Sequence, residues 1–583
     1  MDRTPPSTEN DAIQLYQRTY YSLLKSTRGL RVRSLEETHG AMASSLHTKA
    51  HSPEIDMSAL VYAYQRLPPC IAETSVVLMG QMQSVFARAG FPEVESWQRV
   101  KAPARRRKFY FNGEERILAA FISSVSDIDD FLPCLTAFQI EWKKIHRKLS
   151  MHSVKERLIS PASPTPDQWD ESLLEEVRIA LELGTEDFDR LRGLWPGKKL
   201  ATHIMMACSR NVDFEVRVLA GSMSDYRKAF QAWWKRVEEV TPRICLRERP
   251  VYFVSSNVHS LVNLVTTAAG DLREQVFSYI RSNDPEELKT YFEDIVVEGD
   301  AVKINNLIYY CSKFLIGENT PDGLEKQARR ESLSGIHRVS DPHSIDVEAQ
   351  IFELSKLVRA NIDPRNDVLT AEEWASIAES DAIILNIDYP LGMAAYHLFS
   401  QVSSSCASVL GFYAVGKAAT LNGRVGDLMI PNVVHDEHTR NTFLFNNCFT
   451  ANDVARTLRT GDVFDNQKAV TVKGTLLQNR EFMHLFYQEG YTDIEMEAGP
   501  YLCALYEAVQ PRRHPLNEIV SLFPNVPFDI GLIHYASDTP ISRHENLLSK
   551  SMSFQGVDAT YATTSAVLCR ILKNEAKRQK PKT

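Results

Sequence analysis

With 583 residues the chain is too long for one ordinary hydrophobic core, and roughly two to four domains are expected. Its 44% hydrophobic and 24% charged residues fit a globular protein, and a formal net charge of -8 argues against a nucleic-acid partner. No apolar run is long enough to span a bilayer, Met1 to Asp11 is too polar for a signal peptide, and nine scattered cysteines form no CxxC pair. A cytoplasmic protein is expected, with no membrane partner, no metal and no cofactor.

Residues 1–158 read as a mainly helical region. Val61, Tyr64 and Leu67, and then the apolar residues from Val76 to Ala89, recur at spacings of three and four. The run from Lys101 to Lys108 holds five positive charges beside a proline; such a run can meet phosphate, but a solvated loop is the expectation. Ser126 or Asp127 is the expected N-cap of the helix that follows. Prolines at 161, 164 and 166 mark a linker, because they forbid both helix and strand ladders.

Residues 168–345 read as a helical to α/β region. Tyr226, Ala229, Phe230, Trp233, Trp234 and Val237 mark one buried helix face. Val251 to Val254 is a buried strand that runs into Ser255-Ser256-Asn257-Val258-His259-Ser260. Such a strand end either holds a ligand or is capped by Ser256 or Asn257. Gly317 to His343 is polar and broken by Gly and Pro, and is expected to be an exposed connection.

From about residue 375 to 583 the rhythm changes. Strands at Ile383–Ile387, Val409–Val415, Asp427–Pro431, Ala469–Val472 and Ile530–Tyr535 alternate with helices at Met393–Val402, Glu481–Glu489, Ala498–Val509 and Val557–Asn574. This alternation predicts a three-layer αβα domain with a largely parallel sheet, whose ligand groups collect at strand ends. His435-Asp436-Glu437-His438 follows a strand and reads as a loop near the site, not a metal centre. Gln510 to Phe528, with four prolines, reads as an inserted loop long enough to act as a lid.

Five segments in this last region carry chemistry in a fixed order. They are Gly416-Lys417, Gly426-Asp427 with Pro431, Gly474-Thr475 with Gln478, Glu495-Met496-Glu497, and Ser537-Asp538. Together they resemble the nucleoside phosphorylase superfamily, which includes purine nucleoside and uridine phosphorylases and the methylthioadenosine and AMP nucleosidases. The resemblance covers residues 378–580. It implies that Met496 and Glu497 hold a ribose, with Glu497 on the 2′ and 3′ hydroxyls and Glu495 close to the same sugar. It further implies that Asp538, beside Ser537, is the acid that assists a purine leaving group, and that Gly416 and Gln478 belong to the substrate site. The family's phosphate-holding arginines have no counterpart here. Lys417 and Arg424 are the nearby cations, and Asp388 is placed to orient a water in phosphate's stead.

The expected function is therefore cleavage of the N-glycosidic bond of a purine-type nucleoside or nucleotide, by hydrolysis or phosphorolysis. The alternative is a nucleoside-binding regulatory protein that has lost turnover. The expected partners are the nucleoside or nucleotide substrate, phosphate if the reaction is phosphorolysis, and further copies of the chain, since the superfamily builds sites at subunit contacts.

Overall fold

The chain is described from a computed structural model, which covers residues 7–26, 29–159, 165–316, 321–340, 343–510, 512–523, 526–539 and 554–580. Most of the proline-marked linker, residues 160–164, lies outside the described residues. A large, mostly helical N-terminal region precedes a C-terminal mixed β-sheet domain. Among the described residues no helix is long and apolar enough to cross a membrane.

The N-terminal region is not helical throughout. Six strands, including Val76–Gly80, Phe109–Asn112, Ile117–Phe121 and Glu215–Val218, form a sheet inside it. The apolar stretch from Val76 to Ala89 therefore starts as a strand and becomes a helix only at Gln83–Arg88. A short, wholly apolar run satisfies both periods, and only burial on both faces decides between them. The main helix, α1 (Val125–Met151), is capped by Ser124, not by Ser126 or Asp127. Asp127 instead returns to the N–H groups of Ser123 and Ser124, at 2.6 and 3.3 Å.

The basic run at 101–108 is solvated only in part: Lys101 and Arg106 are exposed, but Arg107 and Lys108 are buried. Arg107 is buried and donates to Asp127 at 2.6 Å and Asp130 at 3.2 Å, while Arg105 donates to Asp130 at 2.5 Å. The acids at the start of α1 thus neutralise two arginines that sequence alone places in solvent. A buried pair of this kind costs several kcal/mol to break from one side, so the loop is firmly tied to α1.

The C-terminal sheet is built from β1 (Pro250–Ser256), β2 (Ile336–Val339), β3 (Ala349–Glu353), β4 (Ile383–Asp388), β5 (Ser408–Thr420), β6 (Leu428–Asp436), β7 (Thr442–Leu444), β8 (Val463–Thr471), β9 (Asp493–Glu495), β10 (Ile519–Ser521) and β11 (Asp529–Asp538). Its order is β10-β7-β6-β8-β9-β5-β1-β4-β3-β2, and β11 pairs with both β5 and β6. β11 therefore closes β5, β9, β8 and β6 into a five-stranded ring, from which β1 to β4 extend as an open sheet. The sheet is mixed, where alternation with helices had predicted a largely parallel one. β5 runs parallel to β1 and β11 but antiparallel to β9. β1, from the 168–345 stretch, lies between β4 and β5, so the sheet runs across the expected division at residue 375.

Alternation along the central strands explains the layers. Val251, Phe253, Leu385 and Phe412 pack on one face against α2 (Ala394–Ser405) and α3 (Ala498–Val509), through Phe399 and Tyr501. Tyr252, Val254, Ile384 and Tyr413 pack on the other, against Leu568, Ile571 and Leu572 of α4 (Val557–Gln579). Gly317 to His343 is no mere connection, for it contains a helix at Pro321–Leu333 and strand β2. The 510–528 insertion adds edge strand β10, and none of its described residues lines the cavity described below.

Candidate active site

The C-terminal ends of β1, β4, β5 and β11 point the same way, because all four strands are parallel. Ala419 of β5 lies opposite both Ile494 of β9 and Asp538 of β11. Two strand spacings, roughly 10 Å, therefore separate the Glu-Met-Glu segment from the Ser-Asp segment. Between them opens a cavity of about 1090 Å³, lined by Gly416, Lys417, Gln478, Glu495, Met496, Glu497, Ser537 and Asp538. Two other expected residues are not among its lining. The Arg424 side chain is exposed elsewhere while its N–H donates to Asp427, at 2.7 Å. Asp388 sits just behind the rim, where it pairs with Arg106 and accepts from the Tyr389 N–H at 3.1 Å.

The two glutamates of the triplet have different tasks. Glu495 accepts from the Thr471 hydroxyl and, at 2.6 Å each, from the N–H groups of Glu497 and Ala498. It caps α3, where a carboxylate suits the positive end of the helix dipole. Glu497 accepts the Gly392 N–H, at 3.0 Å, and lines the cavity. Burial, reinforced by the neighbouring Glu495, raises the Glu497 carboxyl to about 7. Across the ring, His534 bonds Asp493 through Nδ1. Burial alone would keep His534 neutral, but Asp493, Glu495 and Glu497 outweigh it and raise its basicity.

The loop that holds Glu497 is itself held by the N-terminal region. Gly392 has φ +53°, and a Cβ there would collide with the Ser126 hydroxyl of α1. The next amide, Met393 N–H, donates to Ser126 Oγ at 2.9 Å. His438 Nε2 lies 3.4 Å from the same oxygen, and its Nδ1 lies 2.9 Å from Asp436. This Ser–His–Asp chain is sealed, with Ser126 fully buried, so it clamps α1 to the Glu497 side of the cavity and offers no nucleophile. The 435–438 segment is thus an anchor between regions.

Sequence reasoning missed the N-terminal share of the cavity. Tyr62, Arg66, Arg105 and Arg106 all line it, and the Ser45 N–H reaches across to the Gln478 carbonyl at 2.8 Å. The available signal was the 101–108 basic run, whose complement is the acid cluster at 127–130. Asn257 and His259, at the end of β1, also line the cavity, which brings the strand end at 255–260 into the site. Tyr389 and Tyr535 join hydroxyls at 3.0 Å beside them. The buried Oε1 of Gln478 has no hydrogen-bond partner among the described residues.

The chain belongs to a family of unknown function, DUF6909, whose model matches residues 32–573 and so spans both regions that build the cavity. No curated protein matches the sequence. Among solved structures, the 5'-methylthioadenosine/S-adenosylhomocysteine nucleosidase of Neisseria meningitidis is similar over 44% of this chain and 94% of its own, at 15% identity and a TM-score of 0.26. Uridine phosphorylase from Schistosoma mansoni is similar over 43% and 82%, at 11% identity and a TM-score of 0.27. A methylthioadenosine phosphorylase from an antarctic soil metagenomic library is similar over 42% and 81%, at 9% identity and a TM-score of 0.27. Overlaps this shallow carry no weight for function, which rests on the side chains.

Proposed function

We propose that the chain cleaves the N-glycosidic bond of a purine-type nucleoside or nucleotide. The observation that carries this reading is one cavity with Glu497 and Met496 on one wall and Asp538 two strands away on the other. Bond cleavage builds positive charge on the sugar and negative charge on the departing base. Glu497 accepts the ribose hydroxyls and stabilises the first, Met496 packs on the sugar ring, and Asp538 donates to the base and relieves the second. Ser537 supports Asp538, its hydroxyl donating to the carboxylate at 2.9 Å. Asp388, paired with Arg106, is better placed to balance that arginine than to hold a water. Incubation with a nucleoside and nucleotide panel, with and without phosphate, tests the reading through release of free base. Release without phosphate identifies a nucleosidase, and release only with phosphate a phosphorylase. Binding without release identifies a regulatory protein, and neither binding nor release refutes the reading.

The Glu497 carboxyl gives this function a pH signature. Gripping hydroxyls needs the carboxylate, so ribonucleoside affinity should rise about tenfold per unit from pH 5 to about 7 and then level off. Stability runs the other way. A carboxyl raised from 4.5 to about 7 holds in the fold a proton that the unfolded chain releases, so its contribution is lost as pH rises through that window. Calorimetric titration from pH 5 to 8.5 checks this, and a flat profile would remove Glu497 from the grip.

A further inference from the structure

The turn at 391–393, between β4 and α2, is held on both flanks by the start of α1. The Ser124 hydroxyl donates to the Leu391 carbonyl at 3.4 Å, and the Met393 N–H donates to Ser126 Oγ at 2.9 Å. Between these contacts the Gly392 N–H donates to Glu497 at 3.0 Å. The Leu391 carbonyl and the Gly392 N–H are opposite ends of one planar trans peptide unit, so a hold on the first aims the second. The Met393 N–H belongs to the next unit, so α1 anchors two successive peptide planes that meet at Gly392. Ser124 and Ser126 are fully buried, and neither lines the cavity. α1 is itself fixed at this end, where Arg107 donates to Asp127 at 2.6 Å.

We propose that Ser126 is a positioning residue for Glu497, holding the Gly392 N–H on its carboxylate through the Met393 amide. Without Ser126 Oγ the Met393 N–H loses its acceptor, and the turn must rotate about Gly392 to find another. Glycine resists such a rotation least of all residues, so the Gly392 N–H swings off the carboxylate. A donor to the charged form favours that form, and its loss lifts the Glu497 carboxyl further above about 7. The other ionisable groups that act on Glu497 are Glu495, Arg105, His534 and Tyr501, and Ser126 bonds none of them. The N-terminal region therefore does more than wall the cavity, since it aims an acid at the end of β9.

Thermal melts of the full chain across a pH series read the Glu497 proton without any ligand. Glu497→Gln should gain stability over the unaltered protein as pH rises, because it has no folded-state proton to lose. That gain should level off where the folded carboxyl titrates, at about 7. The same comparison made in a Ser126→Ala background should level off about one pH unit higher. Levelling at the same pH in both backgrounds overturns the proposal. Lys108→Met removes a different tie, from the basic loop to the Ser344 carbonyl at 2.9 Å, and should leave the levelling at about 7. A shift in that background too would mean general loosening, and also overturns it. If Ser126→Ala does not fold, Ser126→Cys, whose sulfur accepts weakly, should give a smaller shift in the same direction. The consequence for binding rests on the sugar-grip reading above, and calorimetric titration with adenosine keeps the two apart. Ser126→Ala should weaken adenosine about tenfold at about pH 6 and less than about twofold at about pH 9. If the levelling shifts but adenosine affinity ignores Glu497→Gln at every pH, the grip fails and the positioning stands. If adenosine binding is lost in Glu497→Gln while the levelling does not move, the positioning fails and the grip stands.

Discussion

Glu497→Gln should lower base release from a ribonucleoside about a thousandfold while leaving the fold intact. Gln keeps the side-chain shape and an oxygen for the Gly392 N–H, which donates at 3.0 Å, so the loop it orders need not move. What disappears is the charge. Hydrogen bonds from hydroxyls to a charged acceptor are worth about 1.5–3 kcal/mol each. A carboxylate beside a developing oxocarbenium ion adds more in a water-poor site. A loss of about 4 kcal/mol corresponds to the thousandfold. The sharper measurement uses a 2′-deoxynucleoside. The unaltered protein should prefer ribose strongly, and the variant should lose most of that preference, because the missing hydroxyl and the missing charge are two ends of one interaction. Equal preference in both proteins would place the ribose elsewhere. Removing a buried acid should also make the variant more stable than the parent above pH 7, which thermal melts at pH 8 would show.

Local features of this fold were legible where a short stretch decides them. α3 begins at Ala498 and ends at Val509 as its apolar run predicts, and the buried strand at Val251–Val254 forms the middle of β1. Partner choice was not legible. Nothing within Pro250–Ser256 says that it will lie between β4 and β5, because strand neighbours are fixed by packing across more than a hundred residues. The same holds for the ring closed by β11, whose pairing with β6 joins Leu428 to Tyr535. In the site, the Glu-Met-Glu triplet was open to two readings, helix-start acids or a ribose grip, and its two glutamates prove to be held differently. Glu495 caps α3, and Glu497 lines the cavity. The arginines at 105–107 show the opposite failure. A charge run is usually solvated, and only the distant acids Asp127 and Asp130 draw Arg105 and Arg107 inward, while Arg106 stays exposed. The cavity's N-terminal wall was unreadable for that reason, since its signal is complementarity between segments and not a pattern within either.

Asp538→Asn should cut release of an unactivated purine by about a hundredfold, the usual size of a lost general acid. Asn fills the same space and still accepts from the Ser537 hydroxyl, which donates to Asp538 at 2.9 Å. Ground-state affinity should therefore change little, and the loss should fall on kcat. The leaving group then decides whether protonation is the reason. A purine departs as a poor anion and needs a proton or a strong hydrogen bond as the bond to the sugar breaks. A 4-nitrophenyl riboside departs as a stable phenolate and needs neither. On that substrate the variant should lose less than about threefold, because Glu497 still serves the sugar and no acid is required. A deficit of the same size on both substrates would mean that Asp538 acts through the architecture of the cavity, for instance by holding the end of β11 against Ala419. Full activity on the purine would remove it from the chemistry altogether. Because β11 also closes the ring, a melt of the variant must accompany the kinetics. An unchanged midpoint with a leaving-group-dependent loss is the result that assigns Asp538 its proton.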